Sequence, residues 1–316
     1  MSKSYLRGQH IVRSMLIVFA MLAMMGISAA VAQAGLVACP TTINACGCTI
    51  KKPGTYFVGH DLQATVAAAD CIDIKSPATL DGQGFEIVGT GVLGPGDTTG
   101  AGIGVLSGGE AGPIVVEDVD VLFFDVGIKV LANNVTVEDF FVSNSSTVGV
   151  LLDKSNGDTI EAGESEDNVT AGFEILKSQN DTITDVDAIG NGLAGAWITN
   201  SSKLNTVSDS DLSDNGEVGV IESCSPAPLN GAICHNPMVP PSSKATITDN
   251  DAEGNGVAGI AIDKGNTGNV INDNFAEGNA FVPVLGIADL VDSNKGCDND
   301  KWTSNTFDTA NQTCIH

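Results

Sequence analysis

The chain has 316 residues, of which 14 are basic and 39 acidic, for a formal net charge of −25. Nucleic acid and anionic membranes both demand a basic face, and this composition excludes them as partners. The plain reading of so much negative charge is solubility.

Residues 1–34 read as a signal peptide and not as part of the fold. Lys3, Arg7 and Arg13 precede an apolar run from Met15 to Met25, and Ala32-Gln33-Ala34 offers a small-residue cleavage site before Gly35. The run is short for a spanning helix and no later segment could cross a bilayer, so a secreted or periplasmic protein free of the membrane after cleavage is expected. Both arginines fall in the signal, which leaves eleven lysines against thirty-nine acids, or −28. All eight cysteines follow the cleavage point, and an even number in an oxidising compartment predicts disulfides.

Residues 35–78 hold Cys39, Cys46, Cys48 and Cys71 around KKPGTYFV, a turn followed by an apolar strand, and are expected to form an N-terminal cap. These four cysteines should pair among themselves, in an order the spacing leaves open. TLDGQGFEIVGTG, residues 79–91, brings turn chemistry at Asp81-Gly82 and Gln83-Gly84. A glycine-rich stretch from Gly94 to Gly112 follows, and regular patterning begins near Val115.

From there one pattern recurs. Counting from Val137, Ile160, Ile183, Val207, Ile247 and Ile271, the eighth residue on is Ser145, Asn168, Asn191, Asn215, Asn255 and Asn279, and the twelfth is Gly149, Gly172, Gly195, Gly219, Gly259 and Pro283. The starts are 23, 23, 24, 40 and 24 residues apart. A period of this size marks a solenoid, one coil per repeat. Glycine, asparagine, aspartate, serine and threonine recur too often for helices, so the coils are made of short strands with period-two alternation, as in Gly172-Phe173-Glu174-Ile175. The asparagines at the eighth place suit a buried ladder running from coil to coil.

The long interval holds an inserted loop, residues 223–243, in which Cys224 and Cys234 bracket SPAPLNGAI and are expected to pair. His235 and Met238 in this loop are candidate ligand contacts, because long loops on a repeat scaffold often carry function. The tail, residues 291–316, carries Trp302 and Phe307 to bury and Cys297 and Cys314 to close it, and is expected to be a C-terminal cap.

The repeats resemble the right-handed parallel β-helix of the pectin-lyase-like superfamily, and the phrase at residues 79–91 and the cysteine-bounded tail are similar to those of exported β-helix proteins. The resemblance implies an all-β fold, with a right-handed parallel β-helix solenoid over residues 79–290 and disulfide-bonded caps at both ends. It also implies polysaccharide as the partner, and a monomer is expected. The polyuronate lyases of that superfamily rely on arginine or lysine beside calcium, and the mature chain has no arginine. Its galacturonan hydrolases carry Asp-Asp and Gly-His-Gly motifs, which are absent here. A likeness to periplasmic copper-insertion proteins of the same fold finds no methionine or histidine cluster to support it.

What the sequence does offer is carboxylates in register. Asp139, Asp185, Asp209, Asp249 and Asp273 stand two places after the repeat starts, with Ala162 interrupting, and Glu164, Asp187, Asp211 and Asp251 stand four places after. Asp185 with Asp187, and Asp209 with Asp211, are candidate catalytic pairs, since same-face neighbours on a strand stand ~6.6 Å apart and an inverting glycosidase needs roughly 6.5–9.5 Å. A catalytic pair should be singular, and this one recurs. Asp185, Asp209, Asp249 and Asp273 are candidate metal ligands, with calcium as the cofactor that stacked carboxylates would take. The expectation is a secreted, non-catalytic β-helix protein, glycan-associated or structural, with a carbohydrate-active enzyme, a polysaccharide hydrolase or lyase using an outer carboxylate pair, as the alternative.

Overall fold

A computed structural model describes residues 37–65, 70–90, 100–106, 112–223, 241–279 and 288–316. Short strands follow one another around the coil and pair in parallel with the coils before and after. Two long sheets result. One has eleven strands, Val37–Ala38, Cys48–Ile50, Ile72–Ile74, Ala101–Val105, Val126–Val130, Val148–Asp153, Ala171–Leu176, Ala194–Thr199, Val218–Glu222, Ala258–Ile262 and Leu290–Asp292. The other has thirteen, its main path running from Thr42–Ile43 and Gly54–Val58 to Val270–Asn272 and Lys301–Thr303.

The repeat seen in the sequence is a column in space. Val116, Val137, Ile160, Ile183, Val207, Ile247, Ile271 and Trp302 lie in register along the thirteen-stranded sheet and are all buried. Facing them from the eleven-stranded sheet are Ile128, Val150, Phe173, Ala196, Val220, Ile260 and Leu290. The space between the sheets, the bore, is a largely apolar core. The glycine column has a packing cause: a Cβ on Gly149, Gly172, Gly195 or Gly219 would lie 2.7–2.9 Å from a carbonyl oxygen of the next coil.

Both ends differ from simple covers. Residues 37–78 already form coils, since Cys48–Ile50 pairs with Ile72–Ile74 and Gly54–Val58 with Ala78–Asp81. Lys301–Thr303 likewise stacks on Val270–Asn272. The period is irregular there, so the alternation does not announce itself. Cys39–Cys48 and Cys46–Cys71 clamp the first coils, and Cys297–Cys314 clamps the last. Residues 1–34, and Cys224, Cys234, His235 and Met238 of the inserted loop, lie outside the described residues. Among the described residues no helix is long and apolar enough to cross a membrane.

The asparagine ladder is continuous. Asn168 Nδ2 donates to Asn191 Oδ1 at 3.0 Å, Asn191 to Asn215 at 3.1 Å, Asn215 to Asn255 at 3.2 Å and Asn255 to Asn279 at 3.1 Å. Each Oδ1 also accepts the backbone N–H of the preceding rung. A second ladder runs two places before the repeat starts, through Asp158, Asp181 and Asn205, is interrupted at Ala245, and resumes at Asn269 and Asp300. Three of its rungs are carboxyls. The Oδ2 atoms of Asp158 and Asp181 are buried with no hydrogen-bond partner, where Asn205 donates its Nδ2 to Ser178 O at 3.2 Å.

Two outcomes follow for stability. Asn191→Ala removes the oxygen that accepts both amides of Asn168 and the Nδ2 that donates to Ser165 O and to Asn215 Oδ1, the latter keeping the backbone N–H of residue 191, and urea unfolding should show a loss of about 3 kcal/mol, since each buried unsatisfied group costs roughly 1–3 kcal/mol; a loss under about 1 kcal/mol would show that the ladder does not hold the stack. Burial pushes the Asp181 carboxyl from 3.8 up to about 7, with the neighbouring Asp158 charge adding to the rise. A folded-state pKa raised above the unfolded one means that the stabilisation is full below about pH 4 and is lost as pH rises to about 7. Asp181→Asn, which supplies the missing donor, should therefore flatten the decline in melting temperature between those pH values.

Candidate functional site

The carboxylates that recur two places after the repeat starts have a backbone cause. Asp118, Asp139, Ala162, Asp185, Asp209, Asp249, Asp273 and Ser304 all adopt φ between 49° and 57°, and all are exposed. This is the left-handed region, which aspartate enters more readily than most side chains. Ala162 and Ser304 hold the same corner without a carboxylate. The column four places on, Glu164, Asp187, Asp211 and Asp251, is also in register from coil to coil. Asp185 with Asp187 and Asp209 with Asp211 stand at equivalent places in successive coils, and among the described residues no group of three or more His, Cys, Asp or Glu is placed to hold a metal ion.

The outward column of the eleven-stranded sheet behaves differently. Thr49, Asp73, Gly104, Lys129, Leu151, Glu174, Trp197, Ile221, Ala261 and Val291 are aligned one per coil. They alternate with bore residues such as Ile128 and Val130, so their side chains leave the sheet on its outer face. No residue type repeats along this column. Trp197, Ile221, Ala261 and Val291 belong to a second apolar cluster, separate from the bore. Lys129, Leu151 and Glu174 remain half-buried and reachable.

Glu174 is the chemical centre of this face. Its strand neighbours are Leu151 one coil before and Trp197 one coil after, each ~4.8 Å away along the stack. Burial, and secondarily the charge of Asp153, pushes the Glu174 carboxyl from 4.5 up to about 7. Asp153 belongs to the preceding coil, two residues beyond Leu151, which places the two backbones ~8 Å apart on a grid of ~4.8 Å by ~3.3 Å. One Asp153 oxygen lies 3.2 Å from Lys154 Nζ, and the other is buried without a hydrogen-bond partner. Glu174 thus titrates close to neutral pH, and Asp153 is paired with Lys154. Sequence reasoning passed over Glu174 because it followed the repeating carboxylates; the usable signal was the third residue of Gly-apolar-x-apolar, which reads Lys129, Leu151, Glu174, Trp197, Ile221 and Ala261 without repeating.

A family model described as the right handed beta helix region matches residues 96–233 and 127–315. The chain belongs to this right-handed β-helix family. No curated protein sequence matches it. Among solved structures it is similar to the A-module of mannuronan C-5 epimerase AlgE6 from Azotobacter vinelandii, at 19% identity and TM-score 0.52, over 76% of this chain and 70% of that one. It is similar to the AlgE4 A-module of the same organism at 15% identity and TM-score 0.51, over 83% and 85%. The Dettilon tailspike protein gp208 matches at 11% identity and TM-score 0.56, over 73% of this chain and 47% of that one. At these identities the shared property is the right-handed β-helix itself.

If the corner column is architectural, substitution should follow backbone tolerance and not charge. Asp209→Gly should change stability by less than about 0.5 kcal/mol, whereas Asp209→Val, a β-branched residue forced left-handed, should cost ~1–2 kcal/mol in urea unfolding. Equal costs would point to a role for the carboxylate.

Proposed function

We propose that this protein is exported and binds an extended, neutral or weakly charged glycan along the outer face of the eleven-stranded sheet, from Lys129 to Glu174. The observation that carries the reading is Glu174, a half-buried carboxyl holding its proton close to neutral pH beside an apolar surface. In that state it both donates to and accepts from a sugar hydroxyl, and Leu151 and the buried cluster around Trp197 supply the apolar floor that ligand sites usually have. A linear polymer suits a surface whose side chains repeat every ~4.8 Å along the stack. The charge of −28 disfavours a polyanion. Three disulfides among the described residues support an oxidising location. Two of the similar structures are named for epimerisation of mannuronan, which supports a glycan partner.

A carbohydrate-active enzyme is the second reading, favoured by the Glu174 and Asp153 arrangement. A carboxyl titrating near neutral pH one coil from a second carboxyl suits the acid and base of an inverting hydrolase, with Glu174 as acid and Asp153 as base. This pair replaces the aspartates of the repeated corners as the place to look.

The test is to incubate purified protein with a panel of plant, algal and bacterial polysaccharides and to score binding and product release separately. Binding should weaken as pH rises above about 7, where Glu174 loses its proton, and Glu174→Ala should reduce affinity by about tenfold, near the 1.4 kcal/mol expected of one hydrogen bond. Product release that Glu174→Gln abolishes would select the enzyme. A bound glycan indifferent to Glu174→Ala and Lys129→Ala would place the site elsewhere.

A further inference from the structure

Building on the glycan reading, we propose that the outer face of the eleven-stranded sheet takes its ligand by a chain end, entering over the corner that carries Lys154 and Lys177, and does not accept the interior of a long polymer.

Among the described residues, the reachable part of the outward column is short. Lys129, Leu151 and Glu174 are half-buried and are three consecutive rungs, so the stretch from first to last is two coil spacings, or ~9.6 Å. A side chain that leaves the outer face of a sheet loses its contact with solvent only where other atoms stand over it. Burial along this face therefore marks where a ligand cannot lie.

Three sides of the window are covered. Toward the C-terminal coils, Trp197, the rung after Glu174, is 7% exposed, Ile221 1% and Ala261 0%. Toward the N-terminal coils, the rung before Lys129 is Gly104. The carboxyls of Asp70 and Asp73 occupy the space over it, since a Cβ there would lie 2.7 Å from Asp70 Oδ2 and 3.1 Å from Asp73 Oδ1. Asp73, the rung before Gly104, is itself buried. On the third side, Val126, Val148 and Ala171 stand three residues before the three rungs in their strands, and all are buried.

The fourth side is open. Leu131, Asp153 and Leu176, two residues after the rungs, are half-buried, and Lys154 and Lys177 beyond them are exposed on left-handed corners. Ammonium groups at this entrance donate to sugar hydroxyls, and Lys154 is already steadied by Asp153 at 3.2 Å. A window closed on three sides admits the end of a chain and stops it, whereas the interior of a polymer needs a second way out. A terminal sugar differs from an interior one by a free hydroxyl, and the Glu174 carboxyl, next to the covered rung Trp197, is placed to hydrogen-bond it.

Two measurements test this. The first needs no ligand: Leu151→Cys, Ile221→Cys and Ala261→Cys are treated with a maleimide, with the unsubstituted mature chain as the blank. In the folded proteins Leu151→Cys should label at least about tenfold faster than the other two, and in urea all three should label alike. Ile221→Cys and Ala261→Cys give independent readings should one of them fold poorly. Equal labelling in the folded proteins would mean that the column is open along the stack, and would overturn chain-end entry whatever the protein binds. The second takes the polysaccharide that the panel selects and compares chains of graded length made by partial acid hydrolysis. Affinity per chain should stay constant once the chain fills the window, so affinity per unit mass should fall in proportion to length. Affinity per unit mass that is independent of length, and still reduced by Glu174→Ala, would keep the glycan reading and overturn chain-end entry. Binding to no glycan at all would overturn both.

Discussion

The constraint on which the rest of the molecule depends is that the amides turned into the stack find their partners in the neighbouring coils. An asparagine in the ladder answers this twice, accepting the backbone N–H and side-chain amide of the rung before and donating to the rung after. Such a rung permits one coil spacing and one register, because a slip of a single residue would leave buried amides unpaired and send core side chains to the outside. The ladder also needs an end that only accepts. Asp289 provides it, taking the backbone and side-chain amides of Asn279 on one oxygen and the N–H and hydroxyl of Thr309 on the other. The last coil is therefore closed by chemistry as well as by the Cys297–Cys314 bridge.

Fixed register turns each sequence position into a line along the rod, and lines can be compared. A line that repeats one residue type reports a demand of the fold; a line that does not is free for something else. By that measure the outward column through Lys129, Leu151, Glu174 and Trp197 is the most distinctive surface of the described residues. The bore shows the same contrast. Its column Ile198, Glu222, Ile262, Asp292 replaces aliphatic side chains with acids at the coil from which the inserted loop departs. Glu222 is fully buried, accepts Asn269 Nδ2 at 2.6 Å, and is pushed well above the usual carboxylate range by burial and by the nearby Asp300 and Asp292. Trp302 Nε1 donates to Asp292 Oδ2 at 2.9 Å and gives the second acid its partner.

Much of this was legible because the fold is periodic. The starts at Val137 through Ile271, the asparagines eight places on and the glycines twelve places on are one column each, and their causes are local: a core face, a ladder, a close approach to a carbonyl. The coils at residues 37–78 were hidden because their period is irregular and their strands are two to five residues long. Glu174 was visible as a residue but not as a site, since its raised pKa depends on burial that the sequence does not state.

The acidity of the chain is itself partly a product of corner geometry. The exposed corner after each repeat start must be left-handed, and the short list of residues that tolerate this favours aspartate and asparagine. Tolerance does not choose the sign, because Lys154, Lys177 and Lys244 hold left-handed φ of 58°, 55° and 60° at other corners. At two of the aspartate corners the preceding side chain favours an acceptor: Thr248 Oγ1 donates to Asp249 Oδ2 at 2.8 Å, and Asn272 Nδ2 donates to Asp273 Oδ2 at 2.7 Å. A lysine could fill the same backbone conformation but could not accept those bonds. The left-handed corner, with this bond where it is made, favours aspartate, and a strongly negative surface results without any anionic recognition being required of it.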